Sequence, residues 1–175
     1  MYYRVGGYKV SRGTLPSGDA GTRKTLGLMR QLALDGARQP EVQAAAVSIV
    51  RQAGAPPHDH MAELIALYRF VRDQVRFTDD PVNVEKLQGP RYTLEVLSGD
   101  CDDRATLLAS LARSIGIPAD LRFRVVAANP RNRAYSHVYV MARLRGRDIA
   151  LDPTYPENQP GREYSRGSRV GDYRV

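Results

Sequence analysis

The sequence contains very little sulfur and no tryptophan. Its single cysteine, Cys101, excludes an internal disulfide and any cysteine-rich metal site. The longest strongly apolar stretch without a charge runs from Val42 to Val50, which is far too short to span a bilayer. The first residues contain no apolar signal core. We therefore expect a protein that is made in the reducing cytoplasm and has no membrane partner.

The composition is that of a packed domain with a basic surface. The 175 residues are 42% hydrophobic and 26% charged, which is enough apolar material for a core. Lysine and arginine outnumber aspartate and glutamate by 26 to 19, so the net charge is +7. The arginines are scattered, and no basic patch is interleaved with aromatic residues. Nucleic acid is therefore not an expected partner.

Hydrophobic periodicity and chain breaks divide the sequence into four parts. They predict an extended arm over 1–18, an N-terminal helical segment over 19–57, a core over 58–156 and a basic Gly/Arg-rich tail over 157–175. The tail is expected to be poorly packed, because it is polar and rich in glycine.

Helices fill the first two thirds of the sequence and strands follow, which predicts an α+β fold. Helices are predicted from Asp19 to Gly36, after Pro40, from about Asp59 to Arg76 and from about Cys101 to Ile115; strands are predicted over 121–127, 135–144 and 148–152. The stretch 82–98 is predicted to be irregular. The last helix has no charge between Ala105 and Ala112, so protein should cover most of its circumference.

Cys101 lies at the start of this central helix, within the sequence Ser-Gly-Asp-Cys-Asp-Asp. A helix N-terminus stabilises the thiolate form, which is the nucleophilic form of cysteine. The three neighbouring aspartates oppose that effect, so a nearby imidazolium would be needed. The alternative interpretation is a small residue buried in the core.

A hairpin over residues 135–152 supplies a histidine and a carboxylate. If the turn is centred on Arg145 and Gly146, the numbers of any two residues that face each other across the hairpin add up to 291. This register gives the hairpin one wholly apolar face. In that register His137 is the diagonal neighbour of Asp152 on the other face, within side-chain reach. The hydrophobic pattern therefore favours a histidine–aspartate pair.

Four separated motifs resemble the transglutaminase-like core of the papain-like cysteine-protease superfamily. They are Gly99–Asp103, Ser114–Ala119, Ser136–Val140 and Leu151–Thr154. The resemblance implies an antiparallel sheet packed on the Cys101 helix. It also implies that Cys101 is the nucleophile, His137 the general base and acid, and Asp152 the orienting carboxylate. The sequence Asp-Cys-Asp-Asp after a helical segment is similar to the transglutaminase-like proteins of tailed phages and prophages.

The sequence departs from the family pattern in its lack of tryptophan. An indole therefore cannot contribute to the oxyanion hole. We expect the Cys101 backbone N–H to contribute, together with a donor from Gln88 or Tyr92.

These residues predict amide chemistry through a thioester on Cys101. A protein or peptide amide is the expected substrate, and peptidase or amidase activity is preferred over crosslinking. No cofactor is expected, and a metal site made by Asp100, Cys101, Asp102 and His137 is disfavoured because these ligands suit neither zinc nor calcium well.

The alternative function is structural. A phage protein of this size could be a tail or connector subunit that uses the fold as a packing module. Residues 1–18 and 157–175 would then dock onto other virion subunits.

Overall fold

The computed structural model describes residues 2–5, 8–11, 13–81, 84–127, 133–163 and 169–175. The helices are α1 (Gly18–Gly36), α2 (Pro40–Gln52), α3 (His60–Gln74), α4 (Pro90–Val96) and α5 (Cys101–Ser114). The strands are β1 (Tyr2–Val5), β2 (Tyr8–Ser11), β3 (Arg76–Phe77), β4 (Ser98–Gly99), β5 (Asp120–Val126), β6 (His137–Leu144), β7 (Arg147–Leu151) and β8 (Val170–Arg174). The α+β prediction is confirmed. No helix within these ranges is both long and apolar enough to cross a membrane.

The helix boundaries follow from capping residues and from proline. Asp59 caps α3, because its side chain accepts a hydrogen bond of 3.1 Å from the Ala62 N–H. Pro40 occupies the first turn of α2, where a proline costs no hydrogen bond. Helix α5 is buried from Asp102 through Ala112, as the uncharged stretch in its sequence predicts.

Helix α4 is a correction to the sequence analysis, which predicted the whole of 82–98 to be irregular. Gly89 and Pro90 together are typical of a chain break. Here Pro90 begins the helix and Gly89 precedes it in an extended conformation. The buried side of α4 contains Pro90 and Thr93, and the helix packs against α5. Seven residues are too few for a clear helical period, which is why the sequence did not show it.

The main sheet has four strands in the order β7-β6-β5-β8, and all of its pairs are antiparallel. The predicted hairpin register is confirmed, since Val140 pairs with Leu151 and Arg143 with Asp148. Arg145 and Gly146 form the turn with φ angles of 51° and 78°. Positive φ at both positions is the requirement of a type I′ turn, which matches the twist of the two strands.

One hydrophobic core lies between the helices and the sheet. Its members come from α1, α2, α3, α5, β5 and β6, and include Met29, Ala46, Leu67, Leu108, Phe123 and Val140. The helical segment 19–57 therefore shares one core with residues 58–156. The second face of the sheet has a smaller cluster of Val126, Tyr139, Met141 and Ala150.

The C-terminal segment is a second correction, because its last residues are not poorly packed. Strand β8 pairs with β5 at the edge of the sheet. Arg124 of β5 donates to Asp172 of β8 at 2.7 Å. A strand held by charged pairs at a sheet edge has little hydrophobic periodicity, so the polar sequence concealed it.

The N-terminal arm forms the hairpin β1–β2. Its Tyr8 contacts α4, where the ring of Tyr92 lies 5.0 Å away in an edge-on arrangement. The Tyr8 hydroxyl also donates to Glu95.

Candidate active site

The predicted nucleophile is the first residue of the central helix. Cys101 begins α5, and its side chain is partly exposed. The backbone N–H groups in the first turn of a helix have no acceptor within the helix. The Asp100 side chain caps this turn by accepting a 3.4 Å hydrogen bond from the Asp103 N–H. Cys101 therefore lies at a helix N-terminus, where backbone donors favour negative charge.

The predicted base and its carboxylate are hydrogen-bonded. Nε2 of His137, at the start of β6, lies 2.9 Å from Oδ2 of Asp152, which directly follows β7. Both residues are buried, at 8% and 2% exposure. An ionised carboxylate only accepts hydrogen bonds, so the ring proton is on Nε2 and Nδ1 is the basic nitrogen. The register deduced from the sequence has brought the two side chains together.

The cysteine lies beside the histidine strand. The backbone of Val138, the residue after His137, makes a hydrogen bond that favours the Cys101 thiolate. Cys101 and Asp152 are also close enough for the aspartate charge to act on the thiol. Helix α5, strand β6 and the segment after β7 therefore place Cys101, His137 and Asp152 in one region of the molecule.

The immediate surroundings of Cys101 disfavour its ionisation. Burial raises the pKa of the Cys101 thiol most, and the charges of Asp102 and Asp100 raise it further. The Val138 hydrogen bond acts in the opposite direction. A positive charge near the sulfur is therefore needed before a thiolate can form near neutral pH.

Asp152 remains an anion despite its burial. Burial alone would raise the pKa of its carboxyl. The hydrogen bond and charge of His137, together with the hydrogen bond from the Thr154 N–H, outweigh burial, so the pKa is below its usual range. The Thr154 N–H donates to Oδ1 of Asp152 at 3.0 Å. The main-chain carbonyl of Asp152 accepts hydrogen bonds of 3.2 Å from the Tyr68 hydroxyl and from Nδ2 of Asn158.

The two candidate oxyanion residues, Gln88 and Tyr92, both make contacts with other residues. Nε2 of Gln88 donates to the carboxylate of Asp103 and, at 3.2 Å, to the carbonyl of Ser98. An amide nitrogen has two hydrogens, and this arrangement engages both of them, so the prediction that Gln88 serves the oxyanion hole stays a prediction. Tyr92 packs on Tyr8 through its ring. The prediction that its hydroxyl serves the oxyanion hole stays a prediction.

An acidic cluster surrounds the start of α5. Carboxylate oxygens of Asp100, Asp102 and Asp103 all lie within 4.8 Å of one another. Burial and then hydrogen bonding and charge from Asp100 raise the pKa of Asp102 well above its usual range. Burial also raises the pKa of Asp103, to about 7, although hydrogen bonds from Gln88 oppose the shift. Three carboxyl groups this close need protons or a cation between them.

One oxygen of the cluster has no donor. Oδ1 of Asp102 is buried and makes no hydrogen bond with the described residues, in a side chain that is 5% exposed overall. The charged groups acting on Asp102 most strongly are the carboxylates of Asp100, Asp103 and Glu85. A set of oxygen ligands of this kind suits a hard divalent cation such as Ca²⁺.

The comparison with protein families identifies the fold. The model of the transglutaminase-like superfamily core matches residues 43–153, which is more than half of the chain. The chain belongs to the transglutaminase-like superfamily. The match includes Cys101, His137 and Asp152, and it begins inside α2. No curated protein sequence matches the chain.

Solved structures share this transglutaminase-like fold at low sequence identity. A candidate protease from Parabacteroides distasonis superimposes with a TM-score of 0.57 at 12% identity, over 100% of this chain and 39% of that one. Calcium-bound LapG from Legionella pneumophila superimposes with a TM-score of 0.53 at 15% identity, over 86% of this chain and 87% of LapG. A candidate cysteine protease from Cytophaga hutchinsonii has a TM-score of 0.49 at 15% identity, over 81% of this chain and 52% of that one.

The chain thus spans 52% of the length of the Cytophaga protein and 39% of the length of the Parabacteroides protein. The superfamily match and the Parabacteroides and LapG structures show the transglutaminase-like fold. None of the three proteins named above is described as a phage protein, so the resemblance to phage and prophage proteins stays a prediction.

Sequence reasoning missed the residues that support the transglutaminase-like site. Tyr68, Thr154 and Asn158 hold the Asp152 segment through hydrogen bonds. Arg104 is 2% exposed and lies one helical turn after Cys101. The signal for Arg104 was available, since a charged residue on a helix covered on all sides must have buried partners.

Proposed function

We propose that this chain is a cysteine-dependent amide hydrolase with Cys101 as nucleophile. The observation that supports this most is the buried hydrogen bond between His137 and Asp152, placed beside a cysteine at a helix N-terminus. The acceptor Asp152 keeps the proton on Nε2 of His137. The basic Nδ1 is then the nitrogen that accepts the thiol proton.

The reaction proceeds in two halves. The Cys101 sulfur attacks the amide carbonyl carbon, the C–N bond breaks, and His137 gives its proton to the leaving amine. A thioester remains on Cys101. His137 then takes a proton from water, the hydroxide attacks the thioester, and the acid product leaves as Cys101 regains its proton. The Cys101 backbone N–H, at the first position of α5, is the donor best suited to the developing oxyanion.

Hydrolysis is the preferred outcome over amine transfer. Cys101 is partly exposed and the neighbouring Tyr155 ring is 46% exposed, which leaves the site accessible to water. The Tyr155 ring lies 6.2 Å from the His137 ring and offers an aromatic surface for the acyl part of a substrate.

A paired assay distinguishes the two outcomes. The purified chain is incubated with fluorescein-labelled casein and, separately, with casein and the amine dansylcadaverine. We expect release of fluorescent peptides, little dansyl incorporation, and loss of both signals in Cys101→Ala. Dansyl incorporation without peptide release would favour transfer. If the parent protein and Cys101→Ala give the same signals, the proposed nucleophile is wrong.

We further propose that the acidic cluster binds a divalent cation, with Asp100 and Asp102 as principal ligands. The buried, donor-free Oδ1 of Asp102 and the all-oxygen ligand set support this. LapG, which shares the fold, has been solved in a calcium-bound form. A bound cation would supply positive charge at the N-terminus of α5, where the carboxylates on either side of Cys101 oppose a thiolate.

Thermal unfolding in CaCl2, in MgCl2 and in EGTA tests the cation. We expect CaCl2 to raise the midpoint of the parent protein by about 5 °C or more at saturating concentration. Asp102→Asn should abolish the shift, and Asp35→Asn, at an exposed position of α1, should retain it. A parent midpoint that is equal in CaCl2 and EGTA would contradict the proposal.

A further inference from the structure

Arg104 is an unusual residue for the interior of this molecule. It is 2% exposed, and it lies on α5 three residues after Cys101, among side chains that are buried around the helix. A buried guanidinium is costly to desolvate and is usually matched by a carboxylate. Among the described residues, Arg104 donates no hydrogen bond to a carboxylate, because its three acceptors are main-chain carbonyls.

These carbonyls belong to two segments that flank the site. Nη2 donates to the carbonyls of Val71 at 3.0 Å and Arg72 at 2.9 Å, near the end of α3. Nη1 donates to the carbonyl of Thr154 at 2.9 Å, in the segment after β7. The nitrogen Nε is buried with no hydrogen-bond partner among the described residues. An aliphatic side chain would remove the guanidinium donors from all three carbonyls, and only the fork geometry of a guanidinium reaches both segments at once.

The contact with Thr154 leads to the candidate active site. The same residue that accepts from Arg104 donates its N–H to Oδ1 of Asp152 at 3.0 Å. The other oxygen, Oδ2, lies 2.9 Å from His137 Nε2. A continuous series of hydrogen bonds therefore runs from the helix of Cys101 through Thr154 and Asp152 to His137. Among the charged groups that raise the pKa of Arg104, Asp152 has the largest effect, and Cys101 also contributes.

We propose that Arg104 is a positioning residue for the active site. It fixes the Thr154 peptide that orients Asp152, and it sets the distance between the helix that carries Cys101 and the segment that carries Asp152. This proposal rests on the proposed function of Cys101, His137 and Asp152. Arg104 touches no reacting atom; it acts through Asp152.

The structure provides a matched control in Arg72. Its Nη1 donates to the carbonyl of Asn158 at 2.8 Å, so it too ties α3 to the segment after β7. Among the described residues, the Arg72 side chain donates to Asp73 and to the Asn158 carbonyl, and it makes no hydrogen bond with Thr154 or with the Asp152 carboxylate. Its replacement weakens the attachment of the same segment without disturbing the carboxylate.

The test measures the His137–Asp152 hydrogen bond directly. A ring N–H that donates to a carboxylate gives a downfield proton resonance in NMR, which is assigned here by its loss in His137→Gln. Arg104→Gln, Arg104→Lys and Arg72→Gln are compared with the parent for this resonance, for the rate of Cys101 alkylation by iodoacetamide, and for thermal unfolding. All rates are measured at a temperature where each variant is folded.

We expect Arg104→Gln to lose or shift the resonance and to slow alkylation by about tenfold or more, because small displacements of catalytic groups have large effects on rate. Arg104→Lys keeps the charge but loses the fork, so it should show the same changes to a smaller extent. Arg72→Gln should keep the resonance and an alkylation rate within about twofold of the parent.

Two results would overturn the proposal. One is a parent-like resonance and rate in Arg104→Gln with only a lower unfolding temperature, which would make Arg104 a purely structural contact. If Arg104→Gln does not fold, a parent-like resonance and rate in Arg104→Lys would have the same meaning. Failure of the proposed function would look different, because the parent itself would show the resonance and no amide cleavage.

Discussion

His137 and Asp152 are hydrogen-bonded at 2.9 Å although neither residue lies directly opposite the other in the β6–β7 hairpin. They are diagonal neighbours, one at the start of β6 and the other just past the end of β7. Diagonal neighbours on one sheet face are within reach of a long side chain such as histidine. The pair therefore depends on the register of the hairpin, and the register depends on the turn.

The turn can be tested through Gly146, whose φ is 78°. A side chain at this φ is strained, so Gly146→Ala should destabilise the protein by about 1 kcal/mol or more. Gly27→Ala is the matched control, because Gly27 is an exposed residue within α1 and a Cβ there meets nothing within 4 Å. It should stabilise the protein by about 0.5–1 kcal/mol. Urea unfolding measures both changes, and equal effects of the two substitutions would contradict the assigned turn.

Replacement of the nucleophile should remove activity without unfolding the protein. Cys101 is partly exposed, so Cys101→Ala should change the free energy of unfolding by no more than about 1 kcal/mol. Casein hydrolysis should fall to background. A loss of several kcal/mol in urea unfolding would instead identify Cys101 as a core residue.

The histidine should control the reactivity of the thiol. Burial and the carboxylates of Asp102 and Asp100 raise the pKa of Cys101, so alkylation near neutral pH requires the imidazolium of His137. His137→Ala should slow the alkylation of Cys101 by iodoacetamide by about tenfold or more at pH 7. His60→Ala is the control, because His60 pairs with Glu63 in the first turn of α3. If His137→Ala reacts as fast as the parent, His137 has no role in activating the thiol.

Asp152 should contribute to stability in a pH-dependent way. Its pKa in the folded state is lowered, so the ionised form stabilises the native protein above the unfolded-state pKa of about 3.9. This stabilisation is lost as the pH falls through the lowered folded-state pKa. The free energy of unfolding should therefore fall more steeply below about pH 4 in the parent than in Asp152→Asn. Urea unfolding of both proteins from pH 6 to pH 3 measures the difference, and parallel curves would refute the assignment.

Asp152→Asn should lower the hydrolytic activity less than Cys101→Ala or His137→Ala does. Asp152→Asn keeps the shape of the side chain but removes the charge that stabilises the His137 imidazolium. We expect casein hydrolysis to be reduced, with residual activity above that of Cys101→Ala and His137→Ala. Parent-level activity in Asp152→Asn would leave Asp152 with only a structural role in the segment after β7.

The sequence predicted the helices and strands whose hydrophobic residues recur with a clear period. The apolar alternation along β6 and β7 was sufficient to set their register, and the uncharged stretch after Arg104 predicted a covered helix. The four motifs around Cys101 and His137 identified the superfamily that the family comparison then showed.

The elements and contacts that the sequence did not predict have no hydrophobic period of their own. Helix α4 is too short to show a period, and β8 is held to β5 by main-chain hydrogen bonds and by the Arg124–Asp172 ion pair. The hydrogen bond of Arg104 to Thr154 joins residues 50 positions apart. Such contacts depend on the assembled tertiary structure, so a single sequence contains no periodic signal for them.

The type I′ hairpin also has a consequence for the order in which the active site assembles. His137 and Asp152 are only 15 residues apart, and hairpins of this kind form within microseconds. The Asp172 partner of β5 lies 48 residues beyond Arg124, and contacts of that separation close much more slowly. The acid–base pair is therefore a local contact of one hairpin, whereas the contact of Cys101 with the Val138 backbone joins α5 to the sheet. The reactivity of Cys101 thus reports whether α5 is docked on the sheet, while the resonance of the His137–Asp152 hydrogen bond reports only the hairpin.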